Sequence, residues 1–118
     1  MQRPNREMAN LLFDHYGALL TQHQQEAWRL YYLEDWSLME IAQSRHVTRA
    51  AIHDLLNRTA ATLEAFEASL HLLDQMQRRQ RLLEKLTVAV RAGPQGSWRD
   101  QAEQLLAEMA GEEDRGDV

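Results

Sequence analysis

The chain has no cysteine, and its 118 residues include only two prolines and five glycines. Without cysteine there is no disulfide framework, no thiolate metal site and no thiol nucleophile, which fits a reducing compartment. Long apolar runs are missing too, since none approaches the ~20 residues needed to cross a bilayer. The opening MQRPNREMANLL lacks the apolar segment of about 7–15 residues that a secretory signal carries. A cytoplasmic protein without membrane insertion is the expectation. Glycine-rich phosphate loops, dinucleotide fingerprints and nucleophile elbows are absent. The histidines at 15, 23, 46, 53 and 71 form no HExxH and no i, i+4 pair that would hold a metal on one helix face. His53 beside Asp54 has no placed nucleophile to serve and sits on a helix surface without a cleft. The residues therefore predict no enzyme, no cofactor, no metal and no small-molecule substrate.

What is present is ordinary for a globular chain: 44% apolar and 26% charged residues. A chain of this length buries roughly two-thirds of its unfolded surface, enough for one core. The net charge is −5, but it is unevenly spread. Residues 1–60 carry 6 basic and 7 acidic groups, residues 61–92 carry 5 and 4, and residues 93–118 carry 2 and 7. The body is thus close to neutral, and long-range attraction to phosphates is expected to be modest.

Between Gly17 and Gly93 lie seventy-five residues without glycine or proline, rich in Ala, Leu, Gln, Glu and Arg. Such a stretch reads as successive helices, and no alternation of β-branched and polar residues marks a strand. The fold class is all-α. A first helix is predicted over about 5–17, with Met8, Leu11 and Leu12 on its apolar face. Thr21-Gln-His-Gln24 and Ser37-Leu-Met-Glu40 are capping boxes that open the next two helices. Thr48 is an N-cap by residue type, and a small offset is expected near Asn57-Arg58-Thr59. The resulting division is a core over 1–60, a helical arm over 61–92, a linker with a short helix over 93–110, and an acidic flexible tail over 111–118. Gly93-Pro-Gln-Gly96 supplies the linker, and Ser97 is expected to cap the last helix.

One constellation carries specific chemistry. Residues 37–58 read SLMEIAQSRHVTRAAIHDLLNR: two capped helices joined by a tight turn, with Ile41, Val47, Ile52 and Leu55 or Leu56 as buried contacts. Ala42 is the small residue where the helices cross. This is the helix-turn-helix pattern, whose second helix presents its N-terminal residues to the major groove of DNA. Thr48, Arg49, Ala50, His53, Asn57 and Arg58 are the candidate nucleic-acid-binding residues. Thr48 and the helix N-terminus would hold a phosphate, Arg49 a guanine or a phosphate, and His53 and Asn57 base edges.

Beyond single motifs, Leu11-Leu-Phe-Asp14 with Tyr16-Gly17, Leu20-Thr21, Tyr31-Tyr-Leu-Glu-Asp35, Ser37-Leu38 with Glu40-Ile-Ala42, and Val47-Thr-Arg49 occur together. In that combination the stretch from Asn10 to Leu73 resembles the YlxM-like proteins of bacteria, whose core is similar to region four of RNA polymerase sigma factors. The resemblance implies a small, often dimeric helical protein with a DNA-binding-type module. It also implies an accessory role in the signal recognition particle pathway, beside whose genes this family lies. Two positions depart from the family pattern. His46 occupies the turn position usually taken by Gly or Asn, and Ala50 replaces the usual recognition-helix Gln. An alanine reaches only a thymine methyl, so base reading there is weaker.

Three further features bear on partners. Leu63, Phe66, Leu70 and Leu73 follow three- and four-residue steps and are the candidate homodimer interface. Arg78, Arg79 and Arg81 form a basic cluster that could meet RNA or phosphate, while the acidic 100–118 region could meet a basic protein. Trp28, Tyr31, Tyr32 and Trp36 read mainly as core aromatics. The leading expectation is a regulatory accessory protein that docks on the particle's GTPase or RNA. The alternative is a transcriptional regulator that binds DNA.

Overall fold

A computed structural model describes residues 3–116, with side chains described as far as Gly111. Among the described residues there are six α-helices, one 3-10 turn and no strand. The helices are α1 (Arg6–Tyr16), α2 (Gln22–Tyr32), α3 (Leu38–Arg45), α4 (Arg49–Leu70), α5 (Leu72–Ala92) and α6 (Ser97–Gly116); the 3-10 turn is Gly17–Leu19. The chain divides into two compact units, residues 1–71 and 72–118.

In the first unit each helix begins where its capping residue dictates. Asn5 caps α1 through its side-chain oxygen, which accepts from Met8 N at 2.9 Å. Both expected capping boxes form: Thr21 with Gln24, and Ser37 with Glu40. The core gathers Leu12 and Tyr16 of α1, Trp28 of α2, Ile41 of α3, and Ile52, Leu56 and Leu63 of α4, all buried. Met8 is exposed, and Ala9 takes the inward position on α1 instead.

Helix α4 corrects the expected offset near Asn57, because it runs unbroken from Arg49 to Leu70. Thr59 is fully buried, and its hydroxyl donates to Leu55 O at 2.8 Å. With that hydroxyl satisfied inside the helix, Asn57-Arg58-Thr59 does not interrupt it. The unit boundary accordingly falls at His71 rather than after residue 60. His71 is left-handed (φ 55°, ψ 27°), and its N–H donates to Glu67 O at 2.9 Å.

The stripe read as a free dimer face is used differently. Leu63 is fully buried in the core of its own unit, and Phe66 is half-buried with its ring 5.9 Å from Tyr16. Leu70 is exposed, and Leu73 is buried at the start of the second unit. Sequence spacing shows that a stripe is apolar, and tertiary packing decides what covers it.

The second unit is a helical hairpin. Helix α5 passes without interruption through Gln77–Arg81, where the apolar phase breaks. The Gly93–Gly96 linker turns the chain, and Trp98 lies so close to it that a Cβ on Gly93 would stand 2.9 Å from the indole. Ser97 is the first helical residue rather than a cap. The backbone of α6 remains helical to Gly116, beyond the short element expected to end near residue 110. Ala110 and the Glu-rich segment around Gly111 favour helix enough to carry one glycine. Residues 117 and 118 lie outside the described residues.

Candidate nucleic-acid interface

Three devices fix the geometry of α3, the turn and α4. Ser37 Oγ accepts from Glu40 N at 3.1 Å, and Glu40 Oε1 accepts from Ser37 N at 3.1 Å, which sets the start of α3. At its end His46 adopts the left-handed conformation (φ 58°, ψ 40°), and Val47 N donates to Ala42 O at 3.0 Å. This six-to-one bond closes a Schellman-type turn. Ile41, Ala42, Ile52 and Leu56, all buried, then lock the two helices together. Val47, expected in the core, is 44% exposed; the turn uses its backbone rather than its side chain.

Helix α4 opens at Thr48, whose Oγ1 accepts from Ala51 N at 3.0 Å. Arg49, Ala50 and His53 are exposed, and Asn57 is half-buried one turn beyond His53. Asn57 Nδ2 lies 3.4 Å from His53 Nδ1, so these side chains touch along one stripe. Arg58 is also exposed, but it pairs with Asp54 at 3.0 Å on the same helix. Arg49 makes no hydrogen bond or ion pair with another described residue. It is the cation at the helix start that is open to a ligand. The structure therefore brings Thr48, Arg49, Ala50, His53 and Asn57 to one exposed surface, with Arg58 at its edge and already engaged.

Arg45 is not marked by the sequence as a site residue. It closes α3 onto α2 by donating to Glu26 Oε2 at 2.9 Å and to His23 Nδ1 at 2.7 Å. A basic residue in the last turn of a helix is a visible signal, but its partners about twenty residues away are not. Opposite charges at that distance in sequence become neighbours only once α2 and α3 cross.

The aromatic residues serve mainly the core. Trp28 is fully buried, with its ring 4.5 Å from that of Tyr32. An open cleft of about 320 Å³ is lined by Arg6, Tyr31, Tyr32, Asp35 and Trp36. Arg6 donates to Asp35 there, which holds the Asp35 carboxyl below the usual carboxylate range and raises the guanidinium further. Burial pushes the Tyr32 phenol up. No described group of three His, Asp or Glu side chains could hold a metal.

The second basic feature lies on α5. Arg78, Arg79 and Arg81 are all exposed, and Arg78 lies 3.9 Å from Asp74. Helical spacing sets Arg78 and Arg81 on one face and turns Arg79 about 100° away. Lys85, one turn beyond Arg81 and exposed, extends the same face. The cluster is thus a stripe of Arg78, Arg81 and Lys85 rather than a run of arginines.

A Ser37-capped helix, a left-handed turn and a Thr48-capped second helix with an exposed N-terminal face define a helix-turn-helix protein. Residues 4–102 match the family of YlxM- and p13-like helix-turn-helix proteins, UPF0122. A UPF0122 protein of Symbiobacterium thermophilum is 51% identical over 80 residues, covering 68% of this chain and 75% of its own. UPF0122 proteins of Bacillus cereus and Bacillus anthracis are 52% identical over 77 residues, 65% of this chain and 70% of theirs. This chain belongs to the UPF0122 family. No described helix is long and apolar enough to cross a membrane.

Proposed function

We propose that this chain is a non-enzymatic nucleic-acid-binding protein that sets the N-terminal half of α4 into the major groove of a DNA duplex. The observation that carries this reading is Arg49, exposed and unpaired by any described residue, beside the Thr48-capped helix start. A helix N-terminus gathers backbone N–H groups and favours phosphate, and an arginine one residue inside it reaches a guanine edge or the neighbouring phosphate. His53 and Asn57 extend the contact along the helix. Ala50 contributes shape and a thymine methyl contact only.

A second reading, an accessory role in the signal recognition particle pathway, is favoured by the stripe of Arg78, Arg81 and Lys85 and by the family resemblance. The deep, narrow major groove of an RNA helix excludes an α-helix, so RNA would be met by that stripe and not by α4. The two readings separate in one titration of fluorescent random-sequence DNA duplex and signal recognition particle RNA at two salt concentrations. Arg49→Ala should weaken DNA binding, whereas Gln at 78, 81 and 85 should weaken RNA binding. Unchanged DNA affinity in Arg49→Ala would refute the first reading. Absence of RNA binding at low salt would refute an RNA-based accessory role.

A further inference from the structure

Backbone hydrogen bonds turn the chain sharply at the end of α2. Glu34 N donates to Arg29 O at 3.0 Å, Trp36 N donates to Leu30 O at 2.9 Å, and Asp35 between them is left-handed (φ 59°). The turn sets the half-buried Trp36 with Tyr31 and Tyr32 in the lining of the cleft of about 320 Å³. The start of the chain is pinned to the same place. The Tyr32 hydroxyl donates to Pro4 O at 2.9 Å, and the Arg3 guanidinium lies 5.0 Å from the centre of the Tyr31 ring. Arg6, the first residue of α1, reaches across to Asp35. Three aromatic rings and two arginines thus gather at one opening, far in sequence from Thr48 and Arg49.

We propose that this cleft binds a nucleoside phosphate, with the base against Trp36 and Tyr31 and the phosphate between Arg3 and Arg6. Charge is the first observation that selects this ligand. Arg3 makes no hydrogen bond or ion pair with another described residue, and its Nη1 is buried without a partner. Buried donors are nearly always paired, so this guanidinium lacks the acceptor that an anion supplies. A guanidinium stays charged and presents a fork of donors that matches phosphate. Arg6 adds a second cation against the single carboxylate of Asp35, so the opening repels ammonium ligands and attracts anions.

The rings are the second observation. Every base has a face that stacks on an aromatic side chain, whatever its hydrogen-bonding edge. Inorganic phosphate would use the arginines and leave the rings bare. An acyl chain would cover the rings and leave Arg3 uncompensated. A nucleotide uses both, and its sugar finds a partner as well. Asp35 Oδ1 accepts from Arg6, while Oδ2 makes no bond to another described residue and is open to a sugar hydroxyl. The cleft volume lies at the small end of the ~300–1,000 Å³ that ligand sites occupy, which suits one nucleotide at a time. That nucleotide is either free in solution or part of a single strand.

The test is calorimetric titration of the full chain with adenosine monophosphate, guanosine monophosphate and a single-stranded uridine hexanucleotide, with circular dichroism as the control for folding. Saturable binding of a mononucleotide is expected, and binding of the hexanucleotide alone would assign the site to a strand. Adenosine and inorganic phosphate should each bind about 10-fold or more weakly than adenosine monophosphate, because each meets only half of the site. Trp36→Ala and Arg3→Gln should each weaken binding about 10-fold. Arg29→Gln removes the same charge about 200° round α2 from Tyr31, over the Phe13 ring, and should change nothing. Should Trp36→Ala lose helicity, Arg3→Gln decides, since Arg3 precedes the first helix. No binding of any of the three nucleotides up to millimolar concentration would overturn the proposal. So would binding that a folded Trp36→Ala or Arg3→Gln variant leaves unchanged, or equal affinity for adenosine and adenosine monophosphate.

Discussion

The Tyr16 hydroxyl donates to Glu67 Oε1 across 2.6 Å, joining α1 to α4 over fifty-one residues of sequence. The bond ties the second half of α4 to the same core that holds the helix-turn-helix. Any ligand that loads the start of α4 therefore acts on a helix braced at both ends.

This brace has a measurable weight. Tyr16→Phe removes the donor and leaves a partly buried carboxylate without it, costing about 1.5–3 kcal/mol. Urea unfolding should show that loss, with the slope against denaturant unchanged. Glu67→Gln keeps an acceptor oxygen and should cost less. No loss of stability in Tyr16→Phe would show that packing of the Tyr16 and Phe66 rings, not the hydrogen bond, joins the helices.

Leu63 separates a core role from a surface role. It is fully buried, so Leu63→Ala should destabilise the first unit by about 2–5 kcal/mol. The oligomeric state measured by sedimentation under native conditions should not change. A variant with wild-type stability and altered association would return Leu63 to an intermolecular interface.

The turn residue His46 is exposed and holds a left-handed backbone. A side chain in that region costs roughly 1–2 kcal/mol, and glycine avoids this at an entropic cost of roughly 0.5–1 kcal/mol. His46→Gly should therefore stabilise the protein by up to ~1 kcal/mol, and His46→Val should destabilise it. Thermal unfolding midpoints check both signs.

The pair of Arg6 and Asp35 gives a pH signature. The folded state holds the Asp35 carboxyl below its ordinary value, by hydrogen bonding from Arg6 first and by charge as well. A depressed carboxylate contributes stability above its unfolded pKa and loses it as pH falls through the folded value. Between about pH 5 and pH 2 the wild type should thus lose more stability than Asp35→Asn. The pair is fully exposed, so the difference is small and should shrink in salt. Parallel acid melting curves for the two proteins would contradict the pairing.

Much of the first unit is legible in the amino-acid sequence. Thr21 with Gln24, Ser37 with Glu40, and Thr48 announce helix starts because capping is local chemistry within four residues. The exposed face of Thr48, Arg49, Ala50 and His53 follows from the caps and the 100° step. What stays hidden depends on partners distant in the chain. Leu63 and Phe66 show the spacing of an interface, and only α1 folding onto them makes them core. Thr59 resembles a helix breaker until Leu55 O accepts its hydroxyl.

DNA titrations of the wild type and Arg49→Ala across a salt series decide whether Arg49 and the α4 face bind DNA. Wild-type binding should show a shallow slope of log affinity against log salt, about −2 to −4, because the body is near neutral. Arg49→Ala should weaken binding by ~1–3 kcal/mol if Arg49 reads a base. If Arg49 meets only a phosphate, binding should weaken uniformly across sequences with a flatter slope. Equal affinities and equal slopes for the two proteins would contradict the assignment of the α4 face as the DNA-binding surface.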